Sequence, residues 1–357
     1  MSDTYRQDQR NISVVKMSTV ISLRGMNVMS VFPSVALSEV SVVTVTWNGK
    51  RFALECLESL AGTQGNSPEI IVVDNASTDG TPEAIRERFP NVTLIQNSEN
   101  LGFAKANNIG LAVAHGKYIC LINSDVVVPS GCLERMLDYM ERHPDIGLLG
   151  PKMIAPDGST GQSVMRLPTV WNTLCCSIGL HNIAPKSKLF GGFLMKGYAY
   201  ECIDDVEVLT GWFWMVRRQS LEQVGGLDEQ FFIYGEDIDW SYRFKKAGWR
   251  VVIYPDAEAL HYGAASSAQA PTRFYVEMRR ANLQFFHKHH GRIGGIGYKG
   301  AVFVHELVRI LVNGVAYCCR RSRRPSAAFG IDRSISSIRW LVAGHHGGPH
   351  LDDRGTR

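Results

Sequence analysis

The sequence predicts an α/β fold with a mostly parallel sheet that is flanked by helices. Between residues 40 and 122, short runs of β-branched and apolar residues alternate with segments of helical spacing. Such runs are typical of strands buried on both faces of a parallel sheet, and the alternation indicates right-handed crossovers. Two of the runs break into acidic residues, at Asp74 and Asp125. Carboxylates there would lie in the crevice where open α/β sheets bind ligands.

The first half of the chain has the order β-α-β-α-β-α-β. Strands are predicted at 40–46, 70–73, 92–96 and 118–122. Helices are predicted at 52–60, from 81 onward and at 104–114. The second of these helices begins with Thr81 and Pro82, a capping residue followed by the proline that suits a first helical turn.

The second half continues with less regular spacing. Further helices are predicted at 133–142, 220–224, 236–247 and 274–290, and further strands at 146–154, 206–216 and 249–254. Residues 168–200 are rich in Gly, Lys and aromatic side chains, and we expect an irregular loop that covers the site or holds an acceptor. We expect a disordered extension at 1–38, one domain at 39–290, and an apolar and basic C-terminal extension at 291–357.

Composition excludes several classes of protein. The chain has 357 residues, is 45% hydrophobic and carries a net charge of +4, which is too mild to indicate a nucleic-acid partner. Its eight cysteines form no C-x-x-C pair, which favours reduced thiols in the cytoplasm over disulfides or a zinc site. The chain has no uninterrupted apolar run of about 18 residues and no secretory pattern at its N-terminus, so neither a transmembrane helix nor a signal peptide is predicted.

Asp74 and Asp125 are the first two candidate site residues. Asp74 directly follows the second strand, where a carboxylate can accept hydrogen bonds from a base or ribose; the alternative is a cap of an Asx-turn. Asp125 ends the run N-S-D after the fourth strand. With phosphate oxygens and water, one carboxylate can hold Mg²⁺ or Mn²⁺, and the alternative is an ordinary turn.

A second acidic group, E-D-I-D at 236–239, opens a predicted helix. The helix dipole alone would favour acids there. The preceding F-F-I-Y-G is too apolar for a loop that merely lies in water, however, and a carboxylate beside such a wall can act as a general base. Asp237 is the first choice for the base and Glu236 the second, whereas Asp239 would orient neighbours or cap the helix.

Two basic candidates follow. A single histidine is usually structural, but His261 could supply a further metal ligand if Asp125 is the only carboxylate on the ion. The helix at 274–290 carries Arg280 among several basic and aromatic residues. It could contact a diphosphate or an anionic membrane surface, or it could simply be a solvated basic face over a core stripe.

Together these motifs resemble the family 2 glycosyltransferases, inverting enzymes with the GT-A fold and a Rossmann-like sheet. The resemblance covers about residues 40–290 and is greatest to a rhamnosyltransferase-like branch. It rests on V-S-V-V-T-V-T-W-N-G at 40–49, I-I-V-V-D-N-A-S-T-D-G at 70–80, E-N-L-G-F-A-K-A-N-N-I-G at 99–110, L-I-N-S-D at 121–125 and G-G-L-D-E-Q-F-F-I-Y-G-E-D-I-D-W at 225–240.

The resemblance implies a role for each candidate. Thr46, Asn48 and Asp74 would lie at the nucleotide, Asn107 near the nucleotide-sugar, and Arg280 in a helix of this branch that often carries arginine. Asp125 would be the metal-binding end of a D-x-D motif in which Asn123 replaces the first aspartate, with His261 as a further ligand. Asp237 would be the catalytic base.

The implied activity is transfer of a sugar, with L-rhamnose from dTDP-rhamnose as the first choice, to a lipid-linked or polysaccharide acceptor of a bacterial cell surface. A UDP-hexose donor and a non-catalytic nucleotide-sugar binding module are the alternatives. A nucleotidyltransferase fits poorly, because W-N-G-K-R at 47–51 is not the glycine-rich basic loop it would need.

The C-terminal region bears on where the protein works. Processive synthases carry Q-x-x-R-W, whereas Ser336 stands here three residues before Arg339-Trp340, so we expect transfer of one or a few sugars. Residues 296–324 are apolar and end in four arginines, which fits a helix on the anionic inner face of the cytoplasmic membrane. The alternative is a helix that packs on the catalytic domain.

Overall fold

A computed structural model describes residues 36–61, 67–185, 187, 189–195, 197–263 and 271–343. Nearly all of the predicted extension at 1–38 lies outside these residues. Within them, nine strands form one sheet in the order β3-β2-β1-β4-β10-β6-β11-β5, and β8 pairs with β11. The strands of this sheet are β1 Val40–Thr46, β2 Glu69–Asp74, β3 Thr93–Gln96, β4 Tyr118–Asn123, β5 Val126–Val127, β6 Ile146–Ile154, β8 Asp204–Asp205, β10 Phe213–Arg217 and β11 Arg250–His261. A separate small pair joins β7 Val164–Met165 to β9 Val208–Leu209.

The first half of the sheet is parallel and the second half is mixed. Strands β1, β2, β3 and β4 run parallel, whereas β10 is antiparallel to both β4 and β6. Strand β11 then pairs parallel to β6. The predicted α/β class is confirmed. The final strand is longer than predicted, because its end pairs with β5, and His261 is therefore its last residue and does not follow it.

The register places polar residues at one edge of the sheet. Thr46 lies opposite Asp74 in the pairing of β1 with β2, and Val45 lies opposite Asn123 in the pairing of β1 with β4. Because β10 enters antiparallel, the residue just before it lies at this same edge, where the Trp212 carbonyl accepts a hydrogen bond from the Asn123 amide (2.9 Å). The strand centres behind this edge are buried on both faces, as the β-branched runs predicted.

Helices cover both faces of the sheet. They are α1 Lys50–Ala61, α2 Thr81–Arg88, α3 Phe103–Val113, α4 Cys132–Arg142, α5 Val170–Ser177, α6 Leu180–Ile183, α7 Arg218–Val224, α8 Glu236–Lys246, α9 Pro271–Cys319 and α10 Arg324–Ala343. The expectation of a wholly irregular 168–200 is wrong, since α5 and α6 lie there. Helix α5 begins at a capping box in which the Thr169 hydroxyl accepts from the Asn172 amide and the Asn172 side chain accepts from the Thr169 amide.

Helix α9 continues through the predicted boundary between 290 and 291. It bends at Gly291, whose φ of 65° is readily adopted only by glycine. Beyond the bend, Tyr298 stacks on Phe286 with ring centroids 4.8 Å apart, and Val302 joins the same buried cluster. The first turns after the bend therefore pack against the preceding helix.

The outer face of this second part of α9 is apolar and exposed. Leu311, Val312 and Val315 have 70%, 63% and 64% of their surfaces exposed. Of the helices described, α9 is the one long and apolar enough to cross a membrane, with 11% of its most apolar window buried. Buried core helices pass the same test. None was expected from the sequence, because His305, Glu306 and Arg309 interrupt the apolar run.

Candidate active site

Asp74 and Thr46 form a buried polar pair at the edge of the sheet. Both residues are 1% exposed. One Asp74 oxygen, Oδ2, accepts a hydrogen bond from the Ser77 amide (2.9 Å). The other oxygen, Oδ1, and the Thr46 hydroxyl have no hydrogen-bond partner among the described residues. Buried polar atoms are rarely left so, and two orphaned atoms side by side indicate a ligand that hydrogen-bonds to them.

Asn48 shapes the loop beside this pair. Its backbone is left-handed, with φ 48°, a conformation that asparagine tolerates better than most residues. Its side-chain oxygen accepts from the Thr78 amide (2.8 Å), and its own amide donates to the Ser77 hydroxyl (2.9 Å). Asn48 thus fastens the loop after β1 to the loop after β2, next to Asp74.

Asp125 and His261 contact each other near the end of β4, at the same end of the sheet. The His261 Nε2 atom is 3.1 Å from Asp125 Oδ1, and their side chains are 12% and 16% exposed. Asn123 lies beside them, with its Nδ2 atom 3.4 Å from the same imidazole nitrogen. The ring of Trp212 stacks on His261, with centroids 5.4 Å apart, and fixes the plane of the imidazole.

This donor set fits Mg²⁺ or Mn²⁺ with a phosphate ligand. A carboxylate oxygen and an imidazole nitrogen already lie 3.1 Å apart, and both ions accept such ligands. No cluster of three or more His, Cys, Asp or Glu side chains able to hold a metal occurs in the part of the chain that the structure describes. An ion held by Asp125 and His261 would therefore keep positions open for phosphate oxygens.

Asp237 occupies the first turn of α8 with a raised pKa. Tyr234 and Gly235 before it are both left-handed, with φ 68° and 81°, and set the direction in which α8 begins. Burial raises the pKa of the Asp237 carboxyl to about 6, although backbone amides, including those of Ile238 and Gly211, donate to it. The Ile238 amide lies 2.8 Å from Oδ1. A carboxylate with this pKa is ionised at neutral pH and can still accept a proton.

Glu236, the second candidate base, is buried deeper. Its pKa is raised well above the ordinary value, first by burial and then by the charge of Asp237. Its Oε2 atom is buried and has no hydrogen-bond partner within the described part of the chain. Burial thus disfavours the ionised form of Glu236 more strongly, and Asp237 is the better base of the two.

The segment before β10 connects Asp237 to the pair formed by Asp125 and His261. The Gly211 amide donates to Asp237, and the next residue, Trp212, carries the ring that stacks on His261. Gly211 and Trp212, which are adjacent in the chain, therefore connect residues that were predicted from separate motifs. Trp212 was not predicted, and no neighbouring charge or motif in the sequence indicates its position.

A cavity of about 690 Å³ lies beneath Asp237, between the start of α8, helices α5 and α6, and α9. Its wall includes Arg279, which belongs to the basic helix predicted to contact a diphosphate or an anionic membrane surface, and His305 and Arg309, which were not predicted as site residues. Of the two neighbouring arginines on α9, it is Arg279 that lines the cavity. Arg280, the predicted one, pairs with Glu277 on its own helix at 3.5 Å.

Asn107 is the remaining predicted residue. It is 1% exposed, and its amide donates to the Phe103 carbonyl one turn earlier in α3 (2.9 Å). This bond explains its burial within the helix. The assignments of Asn107 and Arg280 to the nucleotide-sugar remain predictions.

The fold defines the class of protein. A mannosyltransferase from Pyrobaculum calidifontis, solved with GDP-Man and Mn²⁺, resembles this chain with a TM-score of 0.52 and 18% identity, over 86% of this chain and 88% of that one. A likeness at that identity shows the fold alone, and the fold is the GT-A architecture of glycosyltransferases, as expected.

Sequence comparison then gives the family. The family model for glycosyl transferase family 2 matches residues 41–225. An N-acetylglucosaminyl-diphospho-decaprenol L-rhamnosyltransferase of Mycobacterium tuberculosis is 31% identical over 269 residues, which are 70% of this chain and 84% of that protein. This chain belongs to glycosyl transferase family 2, and it is a glycosyltransferase.

Proposed function

We propose that this glycosyltransferase moves L-rhamnose from dTDP-rhamnose to a lipid-linked acceptor in bacterial cell-surface glycan synthesis, with inversion at the anomeric carbon. The observation that carries the proposal is the link from Asp237 through Gly211 and Trp212 to His261 and Asp125. This link supports a site in which an ionisable carboxylate would act as the base and Asp125 and His261 would act as metal ligands. The 31% identity to a rhamnosyltransferase supports the choice of sugar and acceptor.

The nucleotide would lie at the orphaned atoms of Asp74 and Thr46. Asp74 Oδ1 can accept a hydrogen bond from the imide N–H of a thymine or uracil ring, and the Thr46 hydroxyl can either donate or accept. Either base satisfies these atoms equally, so they do not separate dTDP-rhamnose from a UDP-hexose, the alternative donor.

Asp125 and His261 would hold Mg²⁺ or Mn²⁺ against the diphosphate. When bound, the ion neutralises the negative charge that grows on the departing nucleoside diphosphate. The Trp212 ring stacks on the His261 imidazole, and the Asn123 Nδ2 atom lies 3.4 Å from His261 Nε2. The protein would therefore present the His261 imidazole to the ion in a fixed orientation.

Asp237 would take the proton from the acceptor hydroxyl. The hydroxyl oxygen then attacks the anomeric carbon from the face opposite the diphosphate, and a single displacement of this kind inverts the configuration. Glu236 is less suited to this step, because burial and the charge of Asp237 raise its pKa and disfavour its ionised form.

We also propose that the chain works at the inner face of the cytoplasmic membrane, where a lipid-linked acceptor would be found. The exposed apolar face of α9 leads directly to Arg320, Arg321, Arg323 and Arg324, which are exposed as well. An apolar face beside a basic cluster is the arrangement of helices that bind anionic membranes.

A donor screen by calorimetry tests the activity. dTDP-rhamnose, UDP-glucose, UDP-galactose and GDP-mannose would each be titrated with and without Mn²⁺, against the wild type and Asp125→Ala. We expect dTDP-rhamnose to bind with Mn²⁺ and the variant to bind at least about tenfold more weakly, since even outer-shell changes at metal sites cost that much. Asp256→Ala, an exposed carboxylate on β11, is the control.

Three other outcomes of the donor screen would each contradict one part of the proposal. Tighter binding of a UDP-hexose would replace the donor assignment. Binding that does not depend on Mn²⁺ and is equal in the Asp125→Ala and Asp256→Ala variants would remove the metal role. Failure of all four donors with Mn²⁺ would contradict the proposed donor class.

A further inference from the structure

The cavity beneath Asp237 has a strongly cationic wall. Arg279, His305 and Arg309 line it, and Arg333 packs behind them on the ring of Tyr275, 4.3 Å from its centroid. Among the described residues, the carboxylate that contacts this group is Glu306, whose Oε1 lies 3.5 Å from Arg279 Nε. The same oxygen accepts from the Tyr275 hydroxyl (2.8 Å). The guanidinium groups of Arg279, Arg309 and Arg333 therefore lie in one region, and Glu306 pairs with Arg279 there.

The excess positive charge leaves donors unsatisfied. The Nε atoms of Arg309 and Arg333 are buried and have no hydrogen-bond partner among the residues described. Burial, followed by the charges of Arg279, Arg309, Arg333 and His181, lowers the pKa of His305 to about 3. A buried charge without a partner costs free energy, so this wall is arranged for an anion that the folded chain does not itself supply.

Apolar side chains line the part of the cavity that continues onto the exposed face of α9. These include Val308, and Met278, Ile178 and Val312 line the cavity while being 37%, 53% and 63% exposed to solvent. Leu311 and Val315 continue the apolar surface outward along the helix. A ligand that fits both parts of the cavity has an anionic group attached to a hydrocarbon chain.

We propose that Arg279, His305 and Arg309 bind the diphosphate of a lipid-linked acceptor, with its hydrocarbon chain leaving along Ile178, Val308 and Val312. This inference rests on the proposed transfer to a lipid-linked acceptor and assigns the subsite for it. Guanidinium groups suit the task because their paired N–H donors match two phosphate oxygens at once. The sugar at the other end of the diphosphate would then face Asp237, which lines the same cavity.

Binding of farnesyl diphosphate to the full chain tests this subsite directly. The titration would be made in EDTA, so that a metal-dependent donor site does not compete. We expect Arg309→Gln to bind the probe about tenfold or more weakly, because a hydrogen bond to a charged group is lost. Arg309→Lys should keep part of the affinity, and Arg292→Gln, an exposed arginine on the same helix, should bind like the wild type.

A second variant tests the apolar part of the subsite. Val312→Asp should weaken binding of farnesyl diphosphate and leave the weaker binding of inorganic diphosphate unchanged or nearly so. Val312 is mostly exposed, so the protein should fold normally, which a melting curve checks. Equal binding of farnesyl diphosphate by the wild type, Arg309→Gln and Val312→Asp would overturn the proposal.

Two further measurements are needed. One identifies the source of the anion, and the other distinguishes a failure of this subsite from a failure of the proposed function. If Arg309→Gln loses binding to phosphatidylglycerol vesicles but keeps its affinity for farnesyl diphosphate, the anion is a phospholipid headgroup and the assignment to the acceptor is wrong. Donor binding by Arg309→Gln should equal that of the wild type. A wild type that binds farnesyl diphosphate through Arg309 but no sugar nucleotide would support this subsite and contradict the proposed function.

Discussion

Three acidic residues in the first turn of α8 are held in three different states. Burial and the charge of Asp237 raise the pKa of Glu236 well above its ordinary value, and burial raises the pKa of Asp237 to about 6. Burial alone would also raise the pKa of Asp239, but the charge of Arg243 and hydrogen bonds from Lys288 and His289 outweigh it and lower that pKa. The helix dipole acts on all three carboxylates, so their partners make the difference.

The raised pKa of Asp237 predicts an acid limit on activity. Asp237 must be deprotonated to accept a proton, so kcat/KM should fall as pH falls through about 6. Asp237→Asn should lower kcat by about 10²- to 10⁴-fold, the usual contribution of a general base. Both quantities come from initial rates between pH 5 and 8.

Donor binding measured over the same pH range is the control, because it separates an effect on proton transfer from an effect on donor affinity. Affinity for the donor should be similar in Asp237→Asn and the wild type at pH 7.5. A variant that retains near-normal kcat, or an acid limit caused wholly by weaker donor binding, would contradict the role of Asp237.

Individual residues differ in how far the sequence can place them. Asp74 and Asp125 were placed at one edge of the sheet because parallel strands end together, and the register confirms that arrangement. Arg279 and Arg280 are adjacent on a helix, so they point about 100° apart, and only tertiary packing decides which one faces the cavity. Trp212 reaches the site because β10 runs antiparallel to β4, a pairing between distant segments that no local pattern specifies.

At the scale of elements, the loop before α8 is docked on the start of α3. The Phe103 amide donates to the Phe232 carbonyl (2.8 Å). A Cβ atom at Gly102 would lie 2.5 Å from that carbonyl, and the φ of Gly102 is 83°. The N-L-G-F motif therefore serves partly to hold the loop that carries the base.

Gly102→Ala should therefore damage catalysis as well as folding. The new methyl group would push the 231–235 loop away and move Asp237, and misplaced catalytic groups can cost about 100-fold in rate. Gly158→Ala is a matched control, because Gly158 has a similar φ of 80° but no atom within 4 Å of its Cβ position. Equal kcat values in the two variants would show that the contact with Phe232 does not position the base.

Asp239 fastens α8 to α9. Its buried carboxylate lies 2.7 Å from Arg243 on its own helix, and 2.7 Å and 2.6 Å from Lys288 and His289 on α9. This network joins the helix that carries the base to the helix that carries Arg279. These contacts agree with the prediction that Asp239 orients its neighbours.

Replacing Asp239 by Asn should destabilise the fold. It leaves buried cations without their partner, a loss of about 3 kcal/mol or more in the free energy of unfolding. Because the folded pKa of Asp239 lies below its ordinary 3.8, its contribution is present above that pH and is lost as pH falls below it. Urea unfolding at pH 7 and pH 3.5 measures both effects, with Asp256→Asn as the control; an equal midpoint for the two variants at pH 7 would contradict the prediction.

Strands were easier to predict than the helices of the second half. Runs such as 40–46 and 118–122 are largely buried and rich in β-branched and apolar residues, so composition alone identifies them. Helix α5 was missed because its capping box has Asn172 where Glu or Gln is usual, within a stretch whose glycines indicate a loop. Helix α5 is stabilised by contacts with α9, such as the hydrogen bond that the Ser177 hydroxyl donates to the Ala301 carbonyl, 124 residues later.

At the scale of the whole molecule, the exposed apolar face of α9 predicts association with membranes. Leu311→Gln together with Val315→Gln should reduce binding to vesicles that contain phosphatidylglycerol, because two exposed apolar side chains are removed from the contact surface. Flotation in a density gradient measures the bound fraction. Raised salt should weaken the remaining, electrostatic part.

Point substitutions are preferable to deletion from residue 296 onward. Tyr298, Val302 and Glu306 are at most 1% exposed, so the deletion would open the core and confuse unfolding with release. The control is the double variant Lys105→Gln and Glu99→Gln, which also changes two exposed residues but lies outside the apolar face. Unchanged flotation of the Leu311 and Val315 double variant would show that this face does not bind membranes.

The bend at Gly291 has a consequence for how the chain acquires its activity during synthesis. Every strand of the central sheet lies before residue 262, whereas Glu306, His305 and Arg309 follow the bend. Chains generally fold from the N-terminus as they leave the ribosome. The sheet that carries Asp74 and Asp125 can therefore form while Arg279 still lacks its partner Glu306. The cationic wall of the cavity is complete only when the last helices have emerged.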